Sequence, residues 1–218
     1  MPIVAVRADG AIAQFLGTGA IAGNPPRLVT AYHVVRDWPG ALAISVLPDY
    51  DRLYEAKVVR TNPDTDLALL DVSGYQVPNP IQLAEDDEIR TNVQAICFEY
   101  GTTRTEGHII NLAPATRLGN VTRELKLHSQ FGAAGDEMLE LSFPALRGAS
   151  GSPVMSGVTF RLWGVVVANV SYHLLPAQIE SVIEPGGQKI EETRYLLPQA
   201  LAVHVKHVRA LFASVGAA

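Results

Sequence analysis

The chain has 218 residues, a formal net charge of −5 and a single cysteine, Cys97. That length buries a substantial core without covalent staples, and one cysteine closes no intramolecular disulfide, so a disulfide-rich secreted scaffold is excluded and a reducing, cytoplasmic compartment is expected. Scattered Lys and Arg form no basic stripe, which argues against nucleic acid and anionic membranes as partners, and charges or prolines interrupt every apolar run before it reaches spanning length.

In chain order, residues 1–16 alternate apolar side chains with Arg7, Asp9 and Gln14, without the basic start and unbroken apolar run of a signal peptide. Short runs rich in Val, Ile, Leu and Thr then recur between Gly, Pro, Asn and Asp clusters. They predict strands at 14–22, 27–30, 42–47, 55–60 and 67–72. Gly23-Asn24-Pro25-Pro26 supplies one turn, and Asn62-Pro63-Asp64 a loop entering the next strand. The stretch 74–91 reads as loop, with Glu85-Asp86-Asp87-Glu88 as a solvated acidic edge rather than a metal site. Further strands are predicted at 92–98, 108–112, 138–143, 153–155, 162–169 and 194–197, with Gly186-Gly187 as turn residues. After Pro198, the spacing of Leu201, Val205, Val208 and Phe212 predicts a helix over about 199–213. The expectation is one all-β domain of two halves, about 1–80 and 81–197, with the helix attached to the second.

Three short motifs carry chemistry when taken together. Peptide-bond hydrolysis by serine needs a hydroxyl to attack, an imidazole to take its proton and a carboxylate to orient the imidazole. Thr30-Ala31-Tyr32-His33 offers the general base, His33, just after a strand. Asp64-Thr65-Asp66-Leu67 offers the carboxylate; Asp66 abuts an apolar strand, whereas Asp64 follows Pro63 and is expected to face solvent. Arg147-Gly148-Ala149-Ser150-Gly151-Ser152-Pro153 offers the nucleophile, Ser150, on a glycine-flanked turn whose Gly148 and Ser150 N–H groups suit an oxyanion hole. Singly, each has a plain structural reading: a packed histidine, a turn aspartate, a Gly/Ser loop. Their order, His then Asp then Ser, is that of chymotrypsin-like folds and differs from subtilisins and α/β-hydrolases.

On these motifs the chain resembles a trypsin-like serine protease domain of the bacterial kind, similar to HtrA/Deg and glutamyl-endopeptidase relatives. Gly17-Thr18-Gly19-Ala20-Ile21, Tyr54-Glu55-Ala56-Lys57-Val58-Val59, Val93-Gln94-Ala95-Ile96-Cys97, Glu106-Gly107-His108-Ile109 and Tyr195-Leu196-Leu197-Pro198 extend the likeness over nearly the whole chain, with no PDZ-like segment following. The resemblance implies two six-stranded antiparallel β-barrels with a C-terminal α-helix, and serine endopeptidase activity on a protein or peptide substrate without metal or cofactor. It implies a primary pocket walled by Pro144, Val167, Ala168 and Asn169. With no acid at its base, that pocket suits a small or medium apolar residue better than Lys or Arg. Gly151-Ser152-Pro153 stands where many relatives have Gly-Gly-Pro, and Ala149 replaces the aspartate that pairs with a newly cut N-terminus in digestive enzymes. Either constitutive competence or control by an activating partner or homo-oligomer is therefore expected in place of that salt bridge. The alternative is a protease-fold module that binds peptides without cutting them.

Overall fold

The structure is a computed structural model, and it describes residues 1–38, 40–46, 49–75, 77–106, 109–127, 136–173, 178–184, 187–193 and 196–215. The first half is a sheet of β1 (Pro2–Val6), β2 (Ile12–Thr18), β3 (Ala20–Ala22), β4 (Arg27–Ala31), β5 (Ala41–Val46), β6 (Asp49–Asn62) and β7 (Leu67–Val72), in the order β2-β1-β5-β6-β7-β4-β3. The two edge strands, β2 and β3, are separated only by Gly19, so they form one bent strand and the sheet curls back on itself. Counted that way, the seven segments are the six strands of a barrel. Gly19 permits the bend because a Cβ there would lie about 3.0 Å from both Ile3 and Leu28 side chains.

The second half is a closed barrel in the order β10-β15-β12-β11-β8-β9. Its strands are β8 (Gln94–Glu106), β9 (Ile109–Leu127), β10 (Asp136–Leu141), β11 (Pro153–Ser156), β12 (Leu162–His173) and β15 (Leu196–His204). Among the described residues, every pairing between these strands is antiparallel, and two isolated bridges, Ala22 with Ile81 and Leu83 with Leu162, are parallel. A further hairpin, β13 (Gln178–Glu184) with β14 (Gly187–Thr193), stands between β12 and β15. The core is continuous through both halves. Leu28, Leu67, Leu69 and Leu70 fill the first, Leu139, Leu141, Leu162, Trp163 and Val165 the second. Strictly buried runs such as 67–70 replace simple alternation because both faces of these strands are covered.

Several elements differ from the sequence expectation. Strand β1 and the β13–β14 hairpin are additional, and β6, β8 and β9 run well past the predicted limits. Leu47, His108, Gly186, Arg194 and Tyr195 lie outside the described residues. The helix expected over 199–213 begins later: residues up to His204 belong to β15, and α2 spans Val205–Val215. The unbroken buried run 200–205 has no period of its own, so spacing alone does not separate strand from helix there. A one-turn helix, α1 (Tyr32–Val35), also interrupts what reads as a simple strand exit. The acidic edge is solvent-exposed at Glu85, Asp86 and Asp87, as expected, and it also carries ion pairs. A 3-10 turn, Asp86–Glu88, pairs Glu88 with Arg161 at 2.6 Å and Asp86 with Arg209 of α2 at 2.5 Å.

Candidate active site

His33 sits in α1, directly after β4. The Tyr32 N–H donates to the Asp66 carbonyl at 2.8 Å, which ends the β4–β7 ladder and turns the chain into the helix. Asp66 closes the β6–β7 connection. There the Asn62 side-chain oxygen accepts the Asp64 and Thr65 N–H groups at 3.1 and 3.4 Å, an Asx-type turn. Asp66 itself takes a left-handed φ of +52°, a conformation that Asp and Asn tolerate better than most residues.

The Asp66 carboxylate holds His33 at two points. Its Oδ1 accepts the His33 backbone N–H at 2.8 Å, and its Oδ2 lies 2.6 Å from Nδ1. A carboxylate can only accept when ionised, so the proton rests on Nδ1 and Nε2 is left as the basic nitrogen. Both side chains are half-buried. Asp64, by contrast, is exposed.

The Ser150 turn belongs to the second barrel but rests on the first. The Thr18 N–H donates to the Ser150 carbonyl at 2.9 Å. A Cβ at Gly17 would come within 2.9 Å of that same carbonyl and 2.8 Å of a Val34 methyl, so Gly17 is held between the nucleophile turn and the helix bearing His33. Gly151, at φ +84°, leaves even less room: a Cβ would meet the Thr18 carbonyl at 2.0 Å and the Thr30 hydroxyl at 2.1 Å. These close approaches bring the Ser150 turn against the start of α1. Among the described residues, no hydrogen bond joins Ser150 Oγ to His33.

Within the turn, hydrogen bonds follow a pattern. The N–H groups of Ala149, Gly151 and Ser152 donate to Leu146, Val166 and Ala149 carbonyls at 2.9, 2.7 and 2.9 Å. The N–H groups of Gly148 and Ser150 have no such acceptor among the described residues. Gly148, at φ +98°, admits no side chain, because a Cβ would strike the Tyr100 carbonyl at 2.5 Å and the Phe15 ring at 2.6 Å. Phe15, Thr18 and Tyr100 therefore support the turn from behind. Sequence reasoning did not single them out for this role, although the Gly17-Thr18-Gly19 run was a signal.

The residues expected to wall a pocket lie beside this turn. Val166 of β12 exchanges backbone hydrogen bonds with Gly151 and Ser152, so Val167, Ala168 and Asn169 continue away from it. The 144–148 segment leaves on the other side. The Asn169 amide joins the two: its Oδ1 accepts the Ala145 N–H at 2.8 Å and its Nδ2 donates to the Ala145 carbonyl at 2.7 Å. Pro144 adjoins this link, half-buried. Cys97 is buried, and burial, reinforced by Glu99, pushes its thiol up to about 12, which makes it a poor nucleophile. His204 is buried and His207 accepts the Glu137 N–H, consistent with packing roles. Among the described residues, no group of His, Cys, Asp and Glu could hold a metal ion, and no helix is long and apolar enough to cross a membrane.

Residues 17–165 match the model of the trypsin-like peptidase domain family. No curated protein matches the chain. Among solved structures, an HtrA-type protease, AlgW, with a decapeptide is similar at a TM-score of 0.63 and 17% identity over 93% of this chain and 52% of that one. The MamO protease domain from Magnetospirillum magneticum gives 0.58 and 17% over 96% and 94%. The serine endoprotease from Yersinia pestis gives 0.63 and 15% over 98% and 61%. At these identities the likeness is one of fold, and this chain spans about half the length of the AlgW chain.

Proposed function

The chain belongs to the trypsin-like peptidase domain family, and from that premise we propose that it is a serine endopeptidase acting through His33, Asp66 and Ser150. The observation that carries this reading is the two-point hold of Asp66 on His33, with the Ser150 turn packed against the same helix. In the proposed reaction Ser150 Oγ attacks the carbonyl carbon of a peptide bond while His33 Nε2 takes its proton. The oxyanion that forms accepts the Gly148 and Ser150 N–H groups, and Asp66 stabilises the imidazolium. The imidazolium then passes its proton to the departing amine, leaving an acyl ester on Ser150. Water, deprotonated by His33, releases the acid and restores the hydroxyl. A hydrogen bond between Ser150 and His33 commonly tightens only with substrate in place.

The substrate proposed is a peptide or protein, as the decapeptide bound in AlgW suggests by fold likeness. The Asn169–Ala145 link ties the 144–148 segment to β12, and no acid stands among Pro144, Val167, Ala168 and Asn169, which supports a small or medium apolar residue before the cleaved bond. An intracellular setting and control by a partner or by oligomerisation complete the reading. The missing Ser150–His33 hydrogen bond favours one competitor, a peptide-binding module that does not cut.

Labelling with a fluorophosphonate probe, comparing the protein with Ser150→Ala, decides between them. The expected result is labelling of the unsubstituted protein alone, followed in peptide libraries by kcat/KM at least about tenfold higher with Ala than with Phe before the cleaved bond. Absence of labelling in both proteins would favour the binding module. Equal labelling of both would place the reactive group elsewhere.

A further inference from the structure

Thr18, at the end of β2, is fully buried although it is polar. Each of its hydrogen-bonding groups is used, and two of them on the Ser150 turn. Its hydroxyl donates to the Gly148 carbonyl at 2.8 Å and accepts the Tyr100 N–H from β8 at 3.1 Å. Its backbone N–H donates to the Ser150 carbonyl at 2.9 Å. Its own carbonyl accepts the hydroxyl of Thr30, another fully buried residue, on β4 one position before the helix cap of α1. One residue thus grips two alternate carbonyls of the turn and ties them to both the second barrel and the strand leading to His33.

We propose that Thr18 is a positioning residue that sets the oxyanion-binding turn. Holding the carbonyls of Gly148 and Ser150 at the rear fixes the peptide planes on either side of the 149–150 bond. It keeps the turn from rotating those carbonyls into the space where the Gly148 and Ser150 N–H groups are needed. The hydroxyl is the part that matters, because it alone can accept from Tyr100 and donate to Gly148 at once. Valine has the same shape and would take the Thr18 hydroxyl away from both backbone groups. Serine keeps the hydroxyl. This inference rests on the proposed serine-peptidase reading for its kinetic consequence, but the clamp itself is a structural property of the turn.

The test compares Thr18→Val with Thr18→Ser. Thr18→Val is expected to lower kcat by about 10- to 100-fold with KM within about threefold, since the lost contact bears on the transition state. Thr18→Ser is expected to restore kcat to within about threefold. Amide hydrogen exchange over residues 147–152 is expected to quicken in Thr18→Val and not in Thr18→Ser. Wild-type kcat in Thr18→Val, or losses in both variants that merely track a fall in thermal midpoint, would overturn the proposal. If the protein cuts no peptide but exchange changes as expected, the peptidase reading falls and the clamp stands. If it cuts and exchange is unchanged, the clamp falls and the peptidase reading stands.

Discussion

Asp66 combines two demands in one residue: a left-handed backbone at φ +52° and a carboxylate that meets both the backbone and the ring of His33. Asn meets the first demand as well as Asp does, and it can still accept the His33 backbone N–H, so Asp66→Asn isolates the charge and the tautomer. The expected loss in kcat is about 10³- to 10⁴-fold with little change in stability, whereas Asp64→Asn, altering an exposed side chain, should stay within about twofold. Equal effects in the two variants would remove Asp66 from its proposed role. That Asp66 rather than Asp64 adjoins a buried strand was legible in the sequence, because an apolar run follows it directly. The supporting residues were not. Nothing local marks Phe15 or Tyr100, which meet Gly148 only because β2 and β8 converge on it.

At the scale of elements, the C-terminal junction shows where pattern fails. Leu201 and Val205 are four apart and look like one helix face, yet the first lies in β15 and the second opens α2. Burial on both faces erases the difference between a period of two and one of 3.6. His204 ends that strand, 2% exposed, and burial lowers its pKa despite the opposing charges of Asp86, Glu124 and Glu137, with Lys206 adding to the lowering. A histidine that binds its proton less readily when folded leaves the unfolded chain holding more protons at intermediate pH. Its contribution is therefore complete above the ordinary histidine range near about 6.5 and is lost as pH falls through the lowered folded value. Unfolding midpoints in urea should drop as pH is lowered below that range, and the drop should shrink in His204→Gln. Glu88, held low by the Glu85 backbone and by Arg161, and Glu137, held low by Lys206, add a second loss only at more acidic pH. A pH dependence unchanged in His204→Gln would show that another group governs the first step.

At the scale of the molecule, the two sheets meet where side chains are missing. Gly151 carries no Cβ because the Thr18 carbonyl and Thr30 hydroxyl occupy its place, so the turn of one barrel seats directly on two strands of the other. Gly151→Ala is expected to cost at least about 2 kcal/mol, from overpacking and a left-handed backbone together, and to abolish probe labelling. Gly74, with a similar φ of +74° but open space around it, isolates the backbone part. Gly74→Ala should cost only about 1 kcal/mol in the same denaturation measurement and leave labelling intact. If the two substitutions cost the same, the seat between the barrels is looser than these distances indicate.

The amino-acid sequence by itself determined the roster of the candidate site and its order along the chain, because those rest on residue chemistry and on glycine and proline punctuation that act locally. It also determined a β-rich chain of two halves ending in a helix. Only the tertiary structure decided that the first sheet curls shut through the β2–β3 bend, that the 144–148 segment and β12 are joined by Asn169, and that Thr18 grips the Ser150 turn. Each of these depends on strands far apart in sequence. Thr18 and Gly148 lie 130 residues apart, and no local propensity or spacing encodes such a contact until both barrels have closed around it.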